Sequence, residues 1–236
     1  GKGESLVDGM SAEEVAVFTR QAGDKVGATK MDRPEDFEAN PKSGKVYVAL
    51  TNNTKRGVDG GAAADEANPR NNNKNGQVLE ITDDHAGTTF GWNLLLVCGD
   101  PATADTYFGG FDKSKVSPIS CPDNLAFDPH GNLWISTDGN ALKSNDGLFS
   151  VVLEGENRGE TKQFLTVPVG AETCGPIVDE KRVIVYRLPI ERMTKLHRDD
   201  DWHRRNTIET AVIEAIAELL GEDPYDFAPN RYFPHD

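Results

Sequence analysis

The chain has 236 residues, enough for one large or two small domains with a real core. Its 39 acids against 25 bases give a net charge of −14, which argues against general nucleic-acid binding, because phosphate affinity needs clustered Lys and Arg. No apolar run approaches the ~18 residues of a membrane span, and the opening GKGESLVDGM carries no signal-peptide core.

Gly (23) and Pro (13), with many Asn and Asp, point to a turn-rich, mainly β protein. SAEEVAVFTRQA, from Ser11, predicts a short N-terminal helix, with Ser11 and Glu14 as a capping box and Val15, Phe18 and Thr19 on one side. EDFEANP and KVYVALT then predict two strands around an Asn-Pro-Lys-Ser-Gly turn. A polar loop follows from Asn52 to Asn75, and loops of that length are functional or disordered. QVLEIT and FGWNLLLVCG pair across DDHAG, and DNLAFDP, NLWIST, GLFSVVLE and ETKQFLTVP continue the strands. RVIVYRLP is strand-like, and the charged IERMTKLHRDDDWHRRN follows it. NTIETAVIEAIAELLGED predicts an amphipathic helix starting at Asn206 with Glu209, with Ile208, Val212, Ile216 and Leu219 in its stripe and Gly221 as its stop. Two regions are therefore expected: 1–181, mainly β, and 182–236, a charged linker with an α-helical tail.

The strand region repeats. Pro34-Glu35-Asp36-Phe37 through Pro41 lies over Pro122-Asp123-Asn124-Leu125 through Pro129, and Gly44–Val48 lies over Gly131–Ile135. A third, weaker copy starts at Glu172. The first two copies stand about two propeller blades apart at ~40–45 residues per blade. A partial or small β-propeller is the expected fold, and its incomplete ring leaves strand edges through which copies of the chain could associate.

Each copy places an acid just before a strand: Glu35, Asp123 and Glu172. Rotation about a propeller axis would bring them together, and converging carboxylates persist with cations between them or with raised pKa values. Oxygen-rich groups of this kind suit Ca²⁺. Asp32, Asp36, Asn52, Asn53 and Asn124 add oxygen donors nearby. The plainer reading is that such residues cap turns. Arg70 is either an anion clamp or a solvated loop arginine. Asp128 and Asp138 are assigned to turns, Cys121 and Cys174 to buried, unreactive thiols with a metal-ligand role as the alternative, and His197, Asp199, Asp200, Asp201 and His203 to a charged surface in preference to a metal site. The three cysteines, Cys98 included, allow at most one disulfide and say little about compartment. Gly-x-Ser-x-Gly, Walker, His-Glu-x-x-His and Cys-x-x-Cys patterns do not occur, which leaves Ser-His-Asp chemistry and the usual nucleotide loops unsupported.

RPEDFEANPKSGKVYVALTNN, NPRNNNKNGQVLEI, SCPDNLAFDPHGNLWISTDG and VGAETCGPIV, in that order, resemble successive motifs of the PhoX-type alkaline phosphatases over roughly residues 10–180. The resemblance implies a propeller with axial calcium and iron, exported to the periplasm or beyond, that hydrolyses small phosphate monoesters. It implies Glu35, Asp123 and Glu172 as metal ligands and Arg70 as the phosphate-binding residue. Asn72, where many members carry Glu, and Asn124 join them as further oxygen ligands. The family has an upstream region supplying further ligands, and the match fades after Val178. Two alternatives therefore stand beside a phosphatase: a truncated propeller that binds Ca²⁺ without turnover, and a sugar-lactone hydrolase-like calcium propeller.

Overall fold

The computed structural model describes residues 3–58, 60–84, 86–139, 141–179, 201–220 and 223–227. Internal contacts divide the chain into two units, 1–176 and 177–236.

The first unit opens with two short helices, α1 (Ala12–Val17) and α2 (Thr19–Lys25). The Ser11–Glu14 capping box forms on both sides. The expected single helix nevertheless breaks at Phe18, where φ is −108° and ψ 44°. Thr19 Oγ1 donates back to the carbonyls of Val15 (3.1 Å) and Ala16 (3.2 Å), a bond that competes with the helical ladder. The anticipated stripe is not buried: Phe18 and Thr19 are exposed and Val15 is half-buried.

The rest of this unit is two antiparallel meanders. Sheet 1 runs β1 (Pro34–Ala39), β2 (Val46–Leu50), β3 (Gln77–Thr82), β4 (Gly91–Val97) and a two-residue β5 (Tyr107–Phe108). Sheet 2 runs β6 (Pro122–Phe127), β7 (Leu133–Thr137), β8 (Gly147–Val151) and β9 (Thr161–Thr166). β6 packs against β1 and β2. These are two successive blades of a partial propeller. Only one sheet separates Pro34 from Pro122, so the two-blade spacing expected from sequence is corrected to one. The loop inserted between β2 and β3 lengthens the first repeat.

The core lies between the sheets. Tyr47, Ala49, Val78 and Leu96 from one meet Leu125, Leu133, Ile135 and Phe149 from the other. The opposite face of β2 and β3 forms a second cluster, in which Val48, Leu50 and Leu79 pack on Ala67 of the long loop. β2 is thus buried on both faces, which explains why VYVAL is continuously apolar instead of alternating. The Tyr47 ring packs on Phe127 across the sheets at 5.5 Å.

Residues 171–179 form no strand, so the third copy is not a strand within the described residues, and RVIVYRLP lies outside them. The second unit contains helix α3 (Asp201–Leu220) and a turn of helix, α4 (Pro224–Phe227), packed against it. α3 begins five residues before the expected start, which places Asn206 inside the helix. Arg is a good helix former and Asp favours a first turn, so DWHRR joins the helix. His197, Asp199, Asp200 and Gly221 lie outside the described residues.

A candidate carboxylate site at the inner-strand corners

β1 and β6 begin with the same backbone device. Arg33 and Cys121, each followed by proline, take left-handed φ values of 50° and 54°. The Arg33 carbonyl accepts from Thr51 N–H and the Cys121 carbonyl from Asp138 N–H, both at 3.1 Å. Directly after each corner the pairing slips: between Pro34 and Asp36 in β1, and between Pro122 and Leu125 in β6. Glu35 and Asp123 lie in these bulges, and bulges re-aim side chains. The sequence repeat therefore corresponds to a repeated corner and bulge.

Side chains tie the corners together. Asp36 Oδ2 accepts from Leu125 N–H at 2.7 Å, joining β1 to β6. Thr51 Oγ1 donates to the Pro122 carbonyl at 2.8 Å. Asn52 donates to Cys121 Sγ at 3.8 Å and accepts from Arg33 at 3.2 Å, so it touches both corners. Asn124 Oδ1 accepts from Gly175 N–H at 2.8 Å, and Thr173 Oγ1 donates to the Gly147 carbonyl at 2.8 Å. These bonds anchor the Glu172-Thr-Cys-Gly segment to sheet 2.

The acids act on one another. Burial, then the charges of Glu35, Asp138, Glu172 and Asp36, push the Asp123 carboxyl up to about 6. Glu35 and Glu172, which the repeat marks, are thus among the acids that weigh on Asp123. Asp138, assigned from sequence to a turn, belongs with them. Its signal was its place in the repeat, at the end of β7 where Thr51 stands after β2. A cavity of about 250 Å³ touches Glu35 and Asp36 but is floored by Val48 and Ile81 on the outer face of sheet 1, away from Asp123.

Other residues are placed differently from expectation. Asp32 and Asn53 do not face this site. Buried Asp32 accepts through Oδ1 from Asn53 (2.9 Å) and Arg56 (2.8 Å), and through Oδ2 from Asn73 (3.0 Å). Arg56, also buried, donates to the Ala63 and Lys30 carbonyls. Asn68 and Gln77 extend this network. Sequence reasoning missed Arg56, and the network is what orders the long loop. Arg70 is not a solvated loop arginine: its side chain is 10% exposed and stands 3.7 Å from the Asp105 carboxylate. Its guanidinium donates to the carbonyls of Cys98 (2.7 Å) and Gly76 (2.7 Å) and to Asn73 Oδ1 (2.8 Å). Its buried Nε has no partner among the described residues. Asn72 is exposed with φ 48°, a conformation asparagine tolerates, and its N–H caps the Arg56 carbonyl at 2.8 Å. The Asp128 carboxylate binds the turn it was assigned to, accepting from the His130 and Asn132 N–H groups and from the Trp134 indole.

The donors at the corners are oxygens, which fit a hard cation. Among the described residues, no three His, Cys, Asp or Glu side chains are gathered closely enough to ligate one ion. Burial pushes the Cys98 thiol up to about 12 and also raises Cys121, so both are held as thiols in the metal-free chain. Cys174 is exposed, and all three cysteines are free.

The family model described as Alkaline phosphatase PhoX matches residues 2–186. Among solved structures, Pseudomonas fluorescens PhoX in complex with vanadate, a transition state analogue, is similar to this chain. The identity is 38% and the TM-score 0.59, over 70% of this chain and 30% of that one. This chain therefore spans about a third of that protein's length. A comparison with curated proteins finds no match.

Proposed function

Since the chain belongs to the PhoX alkaline phosphatase family, we propose that it hydrolyses small phosphate monoesters at the carboxylate corners of its two sheets. The observation that carries this reading is the paired corner and bulge that sets Glu35 and Asp123 at one end of neighbouring strands. The vanadate held by the structural relative supports a phosphoryl-transfer site in the matching fold.

In this reading Glu35, Asp123 and Glu172 would hold Ca²⁺, with iron as a second metal, and Asn72 and Asn124 would add neutral oxygens, which requires the three acids to draw closer together than they stand. Bound cations supply charge neutralisation of the ester oxygens and polarisation of a water. Asp138 adds negative charge that draws cations in. Arg70 stabilises the phosphoryl oxygens, which requires it to exchange a carbonyl partner for the substrate. Asn124 keeps Glu172 near the other acids through its bond to Gly175. The exported location common in such a family is part of the proposal. No helix among the described residues is long and apolar enough to cross a membrane.

Hydrolysis of an aryl phosphate, with Ca²⁺ and then with chelator, tests the reading. Activity that needs Ca²⁺ and that Arg70→Ala abolishes supports it, and chelator-resistant activity overturns it. The engaged donors of Arg70 favour a second reading, a Ca²⁺-binding unit without turnover. That reading expects calorimetric Ca²⁺ binding with no hydrolysis at any metal load.

A further inference from the structure

Each sheet buries one face against the other sheet and leaves an apolar face outward. On sheet 1 the long loop covers part of that outer face, where Ala67 packs on Leu50 and Leu79. Beyond the loop, Phe37 lies beside Val48 and Trp92 beside Ile81. Phe37 is 64% exposed and Phe90 55%. A groove of about 380 Å³ walled by Met31, Ile81, Phe90 and Trp92 opens there. Sheet 2 repeats the situation. Leu133, Ile135 and Phe149 join the core between the sheets, so the alternating Trp134 and Leu148 lie on the far face. There Phe164 meets the Trp134 ring edge-on at 5.3 Å and is 63% exposed. Leu165, paired with Leu148, is exposed as well. Contiguous exposed apolar patches mark interaction surfaces, unlike scattered single residues.

We propose that copies of this chain associate head to tail, the outer face of sheet 2 in one copy packing on the outer face of sheet 1 in the next. A second copy is the fitting occupant because the contact continues one the chain already makes. Inside the unit, sheet 1 and sheet 2 bury their facing sides on each other, with the Tyr47 ring on Phe127. A second copy presents the same two sheets in the same order. The two outer faces differ from each other, so the contact is heterologous, and a heterologous contact that repeats the rotation between sheets closes a ring. Propellers have about four to eight blades, so two sheets per copy close with about two to four copies. This route uses sheet faces, where the sequence pointed to strand edges.

Light-scattering mass measurements on the full chain, from low to high micromolar concentration, test this. The mass should rise from one copy to a small whole multiple. Phe37→Glu spoils the sheet 1 face and Phe164→Glu the sheet 2 face, so each variant alone should need at least about tenfold higher concentration to associate. Mixed together, the two variants retain one intact contact and should form a species of two copies. Val17→Glu places the same charge on an exposed apolar residue outside both faces and should leave the mass unchanged. Phe37→Ser and Phe164→Ser, with circular dichroism, keep the test valid if a glutamate variant fails to fold. An unaltered chain that stays a single copy overturns the inference. So does a Phe37→Glu or Phe164→Glu chain that still associates like the unaltered one, because that means like faces pair. No readout involves hydrolysis, so the phosphatase reading stands or falls separately.

Discussion

Arg33 and Cys121 stand at the same corner of successive sheets, with φ values of 50° and 54° and each carbonyl taking an N–H from beyond the paired strand. Proline at the next position disfavours helical backbone for the residue before it, and a left-handed non-glycine residue costs about 1–2 kcal/mol. Two such corners held in one small unit require strong support from around them. The Thr51–Pro122 and Asp36–Leu125 bonds provide it, and the product is two bulges that bring Glu35 and Asp123 to one end.

Asp123 makes the unit pH-sensitive. Its carboxyl is raised to about 6 by burial and by neighbouring acids, so the folded state binds its proton more tightly than the unfolded chain does. That contribution is fully present below the ordinary carboxylate value near 4 and is lost as pH rises through about 6. Thermal melts of the metal-free chain should show a falling midpoint across that window. Asp123→Asn should flatten the fall, and an unchanged slope would remove Asp123 as its source.

Buried Glu80 has the opposite sign. Burial alone would raise it, but bonds from Arg158, Tyr47 and Asn93 outweigh burial and hold the carboxyl down to about 2. Arg158 grips it with two bonds of 2.9 and 3.0 Å from across the sheets. Stability from this group is present above the ordinary carboxylate range and drains as pH falls toward 2. Glu80→Ala should cost roughly 3 kcal/mol in urea unfolding, because it leaves Arg158 without its partner. Tyr47→Phe removes one hydroxyl bond and should cost about 1–2 kcal/mol.

The Asp32–Arg56 pair holds the long loop. Arg56→Ala strands a buried carboxylate and should cost roughly 3–5 kcal/mol. Limited proteolysis should then open the chain between Asn52 and Asn75. Lys55→Ala, one residue away and exposed, should stay within about 0.5 kcal/mol and keep the loop resistant.

Gly76 takes φ 74°, and a side chain there would meet the carbonyl oxygens of Thr51 and Leu50 and the Pro122 ring. Gly76→Ala should lose roughly 2–4 kcal/mol from left-handed strain and overpacking together. A melt within a degree of the unaltered chain would show that the corner yields more easily than its packing implies.

The strands were legible in the sequence because their cues are local. Alternation, Asn-Pro and Asp-Pro turns, and the Pro-acid-x-apolar repeat mark β1, β2, β6 and β7 within a residue or two. The break at Phe18 was harder to read, because the Thr19 hydroxyl competes with a helix that propensity alone would continue. β5 was missed because two residues carry no period. The long loop looked polar and loose because its order comes from Arg56 meeting Asp32 across 24 residues of sequence, and no window of neighbours contains that bond.

The candidate site divides in the same way. Sequence alone placed Glu35 and Asp123 at equivalent points, since register in a repeat is written in side-chain order, whereas Glu172 precedes a third left-handed corner, Gly175 before Pro176, that leads into no strand among the described residues. Only the tertiary structure decided that their charges meet, that Asp138 joins them and that Asp32 and Asn53 do not. It also decided that Arg70 is tied to carbonyls while Arg33 reaches Glu35. Convergence depends on how two sheets pack and where two bulges turn the chain, and those are properties of contacts between residues far apart in sequence.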